Sequence, residues 1–140
     1  MRYLKLPNLE AGEWCEWDGL ILEAAFQVLV DFMEKDAAVW FTDWHGSGPD
    51  AGAAWEEMIS LYMWWKFSRP YRHDPYDLIK DYIEEEYAAH EWVQGNYYVG
   101  WDDPMWGYTC DEQRRLEGER LEEDQEALHR LIRIRPYMWA

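Results

Sequence analysis

The chain of 140 residues is about as long as one domain, and its 29 acidic residues against 13 lysines and arginines give it a net charge of −16. This charge argues against nucleic acid or an anionic membrane as a direct partner, because both are bound through basic patches. The acidic excess is spread evenly, with nine acidic residues in 1–47 and ten in each of the stretches 48–93 and 94–140. It therefore belongs to the folded surface and not to a charged tail.

The aromatic content fits inside one core. The chain has 11 tryptophans, 10 tyrosines and 4 phenylalanines, which together can bury about 4,000 to 6,000 Å². A chain of this mass buries about 17,000 Å² on folding. The number of tryptophans therefore does not require an exposed patch, although tryptophan and tyrosine are also common at interface hot spots.

Cys15 and Cys110 are too few for a disulfide framework and lie in no Cys-x-x-Cys pair. The first residues contain no apolar run of signal-peptide length. The most apolar stretch, Leu20–Met33, is interrupted by polar residues and is too short to cross a bilayer. We therefore expect a cytoplasmic protein with free thiols.

The first predicted helix covers residues 18–35, with Asp18 as its N-cap. Its polar residues recur every four positions and the rest of its circumference is apolar, which is typical of a central helix. The second predicted helix covers residues 50–67. Because neighbouring side chains on a helix point about 100° apart, Trp64 and Trp65 are either enclosed on several sides or partly in contact with a partner, and we favour enclosure.

The third predicted helix follows Asp74-Pro75, an N-cap and a proline at the first helical position, and extends to about residue 93. Residues 95–108 are predicted as a loop rich in glycine and aromatic residues, with Asp102-Asp103-Pro104 as turn chemistry. The fourth predicted helix covers residues 111–135 and is densely charged.

These elements predict a mainly α-helical fold, an irregular bundle of about four helices in a single domain spanning residues 1–140. Two short segments, residues 3–6 and 97–99, are rich in tyrosine and leucine or valine. These two segments could pair as a small two-stranded β element.

Glu86 and His90 lie one turn apart on the apolar side of the third predicted helix. An inward-facing Glu and His could share a proton or bind a metal ion. We favour a buried polar pair that satisfies itself or pairs with an arginine.

Two other motifs have a catalytic spacing, and for both we favour a structural role. Glu126 and His129 have the Glu-x-x-His spacing of di-iron bundles, but that chemistry needs a second copy, and this one lies on a charged helix face. Asp43, His45 and Ser47 lie close together in a glycine-rich segment. No nucleophile elbow or phosphate-binding loop surrounds them.

Two acidic triplets, Glu84-Glu85-Glu86 and Glu122-Glu123-Asp124, lie on the third and fourth predicted helices. A helix rises about 1.5 Å per residue, so a row of its carboxylates can approach the charge density of DNA, about one charge per 1.7 Å of axis. For either triplet alone, an ordinary solvated surface is the favoured interpretation. The net charge of the whole chain is what raises the case for a functional role.

The ending Leu131-Ile132-Arg133-Ile134-Arg135, with Trp139 after it, resembles the ending of small acidic proteins encoded by bacteriophages. The segments Trp64-Trp65-Lys66 and Arg69-Pro70 are similar in character, and the resemblance covers about a third of the chain. It implies a phage origin. Such proteins often inhibit host nucleic-acid machines, including CRISPR effectors and restriction enzymes, by occupying a basic groove.

The leading hypothesis is a non-enzymatic interaction module without cofactor, an inhibitor that docks on a basic surface of a host nucleic-acid-binding protein. A virion assembly or accessory role is one alternative, and a metal-dependent enzyme using Glu86 and His90 is another. The oligomeric state is open. The residues expected at the partner contact are Glu84, Glu85, Glu122, Glu123, Asp124, Trp101 and Trp106.

Overall fold

The computed structural model describes residues 4–10, 16–89 and 104–138, and over these residues the protein is mainly α-helical without a β-strand. This confirms the predicted mainly α fold with about four long helices. The helices are α1 (Trp17–Lys35), the one-turn α2 (Ala38–Phe41), α3 (Pro49–Met63), α4 (Tyr76–Ala89) and α5 (Pro104–Ile134). Of the two segments predicted to form a β pair, residues 4–6 are not a strand and residues 97–99 lie outside the described part.

The chain forms two compact units. One comprises residues 1–71 and 124–140, and the other comprises residues 72–123. The second unit contains α4 and the first part of α5, and the rest of α5 belongs to the first unit. The organisation as one domain over residues 1–140 stays a prediction.

The first and second predicted helices are confirmed, with small differences at their ends. α1 begins at Trp17 with Glu16 in the N-cap position, so Asp18 is not the cap. The Asp18 carboxylate instead accepts the backbone N–H of Gly19 in the first turn (2.9 Å). α3 is followed by a π-helical turn over Trp64–Ser68 and a 3₁₀ turn over Arg69–Tyr71.

The fourth predicted helix begins earlier than expected. α5 starts at Pro104, so residues 104–108 are helical and their assignment to a loop is wrong. Proline is well tolerated at the first position of a helix, where its missing N–H has no intrahelical partner in any case. An Asp-Pro pair that precedes α4 was interpreted as a helix start, whereas Asp103-Pro104 was interpreted as a turn.

α1 supplies the centre of the core of the first unit, as predicted. Phe26 and Leu29 are completely buried and Met33 is nearly so. They pack with residues of α3, of the π-helical turn after it and of the final part of α5, the largest of which are Met58, Leu61, Trp65, Leu131 and Ile134. Burial of such side chains contributes roughly 1.5 to 3 kcal/mol each.

Tryptophan rings fill the space around this core. Phe26 stacks on Trp65 with centroids 4.6 Å apart and lies 5.4 Å from Trp64, so the enclosure predicted for the end of the second helix is confirmed for Trp65, which is buried. Trp64 is half-buried. Trp44 stacks on Trp55, and its indole N–H donates to the carbonyl of Val39 (2.9 Å).

Arg69 binds three partners within the first unit. Its guanidinium donates two hydrogen bonds to the Asp124 carboxylate (3.0 and 3.2 Å), lies 4.8 Å from the centre of the Trp65 ring, and approaches Glu23 of α1 at 3.9 Å. A bidentate arginine–carboxylate pair fixes geometry as well as contributing energy. Arg69 thus joins α1, the end of the α3 segment and α5.

A second polar cluster joins α1 to α3. The Glu34 carboxylate accepts the Tyr62 hydroxyl (2.9 Å) and pairs with Lys66 (3.0 Å). The hydrogen bond from Lys66, followed by that from Tyr62, holds the pKa of Glu34 below its ordinary value of 4.5. Burial, followed by the bond to Glu34, raises the pKa of Tyr62.

Replacing Asp124 by Asn should cost about 2 kcal/mol in the free energy of unfolding, because Arg69 then loses a charged bidentate partner. Urea denaturation measures this cost. Glu122→Gln is the matched control, since Glu122 is an exposed neighbour in the same acidic triplet, and it should change stability by less than about 0.5 kcal/mol. Equal losses in the two variants would contradict the structural role of Asp124.

The stabilisation by Glu34 should depend on pH. Because its folded-state pKa is lowered, its contribution is present above the unfolded-state pKa and disappears as pH falls through the folded-state pKa. We expect the stability difference between wild type and Glu34→Gln to shrink as pH is lowered from 7 to about 3, measured by thermal unfolding. Glu56→Gln, at an exposed position on α3, serves as the control, and a difference that stays constant with pH would oppose the assignment.

Candidate interaction surfaces

The outer face of α4 carries a row of carboxylates. Asp77, Asp81, Glu84 and Glu85 are all exposed, and at 100° per residue they lie within an arc of about 100°. Tyr82, about 110° around the helix from the centre of this arc, is buried, with its ring centroid 5.6 Å from that of Trp106 on α5. We call the four acidic residues the α4 stripe.

The local start of α4 accounts for the position of this stripe. The Asp74 carboxylate accepts the backbone N–H of Tyr76 (3.0 Å), as expected of the predicted N-cap. Asp77 then falls in the first turn, where negative charge interacts favourably with the helix dipole. The helix carries five acidic residues and one basic residue, Lys80, whose ammonium approaches Glu84 at 4.0 Å.

The charges of α5 are arranged differently, because arginines are interleaved with its acidic residues. Arg115 pairs with both Glu112 and Glu119, and Arg114 pairs with Asp111. The hydrogen bond from Arg115 lowers the pKa of Glu112. The eight acidic residues of α5 are accompanied by five arginines, so this helix presents a mixed surface.

The predicted contact residues of the second acidic triplet do not form one free row. Glu122 is exposed. Glu123 pairs with Arg72 (3.2 Å), and the carboxylate of Asp124 is held by Arg69. Of these three residues, Glu122 is therefore the best placed to meet a partner, while Asp124 serves the fold.

Trp101 and Trp106 were predicted from the sequence to contact a partner from within a loop, and the structure changes this assignment for Trp106. Trp106 lies on α5 and not in a loop, and it is half-buried against Tyr82. Trp101 lies outside the described residues. Asp77 and Asp81, which are not among the contact residues predicted from the sequence, belong to the α4 stripe, and their spacing of four residues is the signal in the sequence.

Of the inward Glu–His pair, His90 and the Glu86 side chain lie outside the described part of the structure, so this site stays a prediction. Glu126 and His129 are both exposed, in agreement with a solvated helix surface. Within the described residues, no three His, Cys, Asp or Glu side chains come together in a way that could hold a metal ion.

The Asp43–Gly48 segment is a structural turn before α3. The Asp43 carboxylate accepts the N–H of Gly46 (2.8 Å), and the Ser47 hydroxyl donates to the carbonyl of Asp43 (2.8 Å), not to His45. The ring of His45 lies over Gly52, where a Cβ atom would come within 2.6 Å of its Nδ1. These contacts support the structural interpretation of the motif.

An open groove of about 520 Å³ lies in the first unit, between α3 and the end of α5. Its lining includes Asp50, Glu57, Glu126, Arg130 and Arg133. Arg130 is bound by Glu57 and donates to the Ser60 hydroxyl (3.0 Å). The mixture of charges gives the groove no clear preference for an anion or a cation.

Comparison with protein-family models, curated proteins and solved structures finds no match for this chain. Among the described helices, none combines the length and the apolar character needed to cross a membrane. The candidate surfaces are therefore judged by their geometry and charge.

Arg115→Gln should raise the pKa of Glu112 toward its ordinary value, because the hydrogen bond from the guanidinium is the main cause of the lowering. An NMR titration of side-chain carboxyl carbons measures this shift. Glu34, whose pKa is lowered by Lys66 and Tyr62 in the other unit, is the control, and its pKa should be the same in both proteins. An unchanged pKa of Glu112 would show that the arginines of α5 do not compensate the acidic residues of this helix.

Proposed function

We propose that the protein is an interaction module that occupies a basic, nucleic-acid-binding surface of another protein through the α4 stripe. The observation that carries this proposal is the alignment of four exposed carboxylates on one face of a helix with a single lysine beside them. The mixed surface of α5 makes α4 the better candidate. The whole chain has a net charge of −16, which also favours a basic partner.

The spacing of the stripe resembles one nucleic-acid strand. Asp77 and Glu85 are eight residues apart, or about 12 Å along the helix axis. Four carboxylates over this distance give a mean rise of about 4 Å, which compares with about 3.4 Å per phosphate in a single strand and about 1.7 Å when both strands are counted. The structure thus favours a groove that accepts a single strand over one that accepts a duplex.

An inhibitory role follows from this mode of binding, because a protein whose basic groove is filled cannot hold its nucleic acid. The partner class that we propose is a bacterial nucleic-acid-binding or defence protein, of which CRISPR effectors are one example. A phage origin and a location in the host cytoplasm belong to the same proposal. The chain is proposed to act without catalysis or cofactor.

The test is a competition experiment with two charge-reversal variants. The first replaces the four residues of the α4 stripe by lysine. The control replaces four other exposed acidic residues, Asp50, Glu56, Glu117 and Glu126, by lysine. Both variants carry the same net charge, so a difference between them reports on position and not on total charge.

Immobilised protein is exposed to a bacterial lysate, and bound proteins are eluted by a salt gradient or by a single-stranded oligonucleotide. We expect wild type and control to retain a nucleic-acid-binding protein that the oligonucleotide releases. The α4 variant should retain at least about tenfold less of this protein. Equal binding by both variants, or release by salt but not by the oligonucleotide, would refute the proposal. Circular dichroism verifies that both variants are folded.

A further inference from the structure

α1 exposes an apolar strip on the side opposite the core. Trp17, Ile21 and Val28 are 81%, 60% and 49% exposed. Together with the half-exposed Ala24 they lie within an arc of about 60° on the helix. The buried residues of α1, such as Phe26, point the other way. We call these four residues the α1 strip, and it differs from the sequence expectation of a helix enclosed on most sides.

The spacing of the strip indicates what it can contact. Its residues follow one another at intervals of four, three and four, which is the pattern of a seam facing a single helix. The strip spans twelve residues and about 16 Å along the helix axis, which corresponds to nearly two heptads. The seam ends at the next two positions in the pattern, Asp31 and Lys35, which form a salt bridge (2.6 Å).

The negative charge of the chain determines which kind of partner helix the strip favours. α1 carries four acidic residues and one lysine, and the exposed Asp18 lies beside the strip, whereas Asp31 at its end is paired with Lys35. A second copy of this chain would bring the same carboxylates and another charge of −16 to the contact. An anionic lipid surface is disfavoured for the same reason. A basic amphipathic helix complements both the apolar seam and the acidic character of the chain.

We infer that the α1 strip is a docking surface for an amphipathic helix of a partner, with aliphatic residues along the seam and lysine or arginine beside it. Ile21 and Val28 supply the apolar contact. Asp18 and the net charge of −16 set the preference for a basic partner. This surface is distinct from the α4 stripe, and the inference does not depend on the proposed function.

The probe is a synthetic helical peptide of three heptads with leucine at the seam positions and lysine beside them. A second peptide carries glutamate in place of lysine. We expect isothermal titration calorimetry to show binding of the basic peptide and none of the acidic one. Binding of both peptides alike would overturn the role of charge.

The decisive variant is Ile21→Glu/Val28→Glu. It adds negative charge, so a purely electrostatic attraction would grow, whereas docking on the apolar seam predicts a loss of about tenfold or more in affinity. The matched control is Phe41→Glu/Ile132→Glu, at exposed apolar positions of the same unit (88% and 53%). The control should bind like wild type.

Three results would overturn the inference. One is unchanged peptide binding by the strip variant. Another is a wild-type dimer in light scattering that the strip variant dissociates, since the occupant would then be a second copy. The third is a much larger fall in melting temperature in the strip variant than in the control, which would show that the chain itself covers the strip. The lysine variant of the α4 stripe should still bind the peptide, so the two proposals can fail separately.

Discussion

The contacts made by the Arg69 guanidinium are the interactions on which the first unit depends most. This group lies on the ring of Trp65, which itself stacks on Phe26 at the centre of the core, and it binds Asp124 through two hydrogen bonds. A cation held between an aromatic ring and a carboxylate fixes the direction of both partners, which apolar packing alone does not do. The end of the α3 segment and α5 are thereby held in one arrangement around α1.

This use of arginine also shapes the acidic surface. The protein has 13 basic residues, and several of them bind carboxylates that would otherwise add to the negative surface, as Arg69 does with Asp124 and Arg115 with Glu112 and Glu119. These pairs neutralise the acidic residues of some helices more than those of others. Among the long helices, α4 has the largest net charge, because one lysine accompanies five acidic residues.

Two surfaces of different chemistry result. The α4 stripe offers charge with little apolar area, which favours fast and salt-sensitive association. The α1 strip offers apolar area with the Asp18 carboxylate beside it, which favours short-range packing. Each suits a basic partner in its own way, one through long-range attraction and the other through contact, and each lies in a different unit of the chain.

The sequence by itself determined the helices, the acidic character and the N-cap at Asp74, because periodicity, net charge and capping are local or additive properties. It also indicated that α1 is central and that Trp65 is enclosed. It could not decide whether Asp103-Pro104 begins a helix or a turn, because the same dipeptide serves both. Nor could it separate Asp124, which Arg69 holds from 55 residues away along the chain, from the exposed Glu122 beside it. Only the tertiary structure decided which carboxylates are bound and which face of α1 stays open, since both depend on residues distant in the chain.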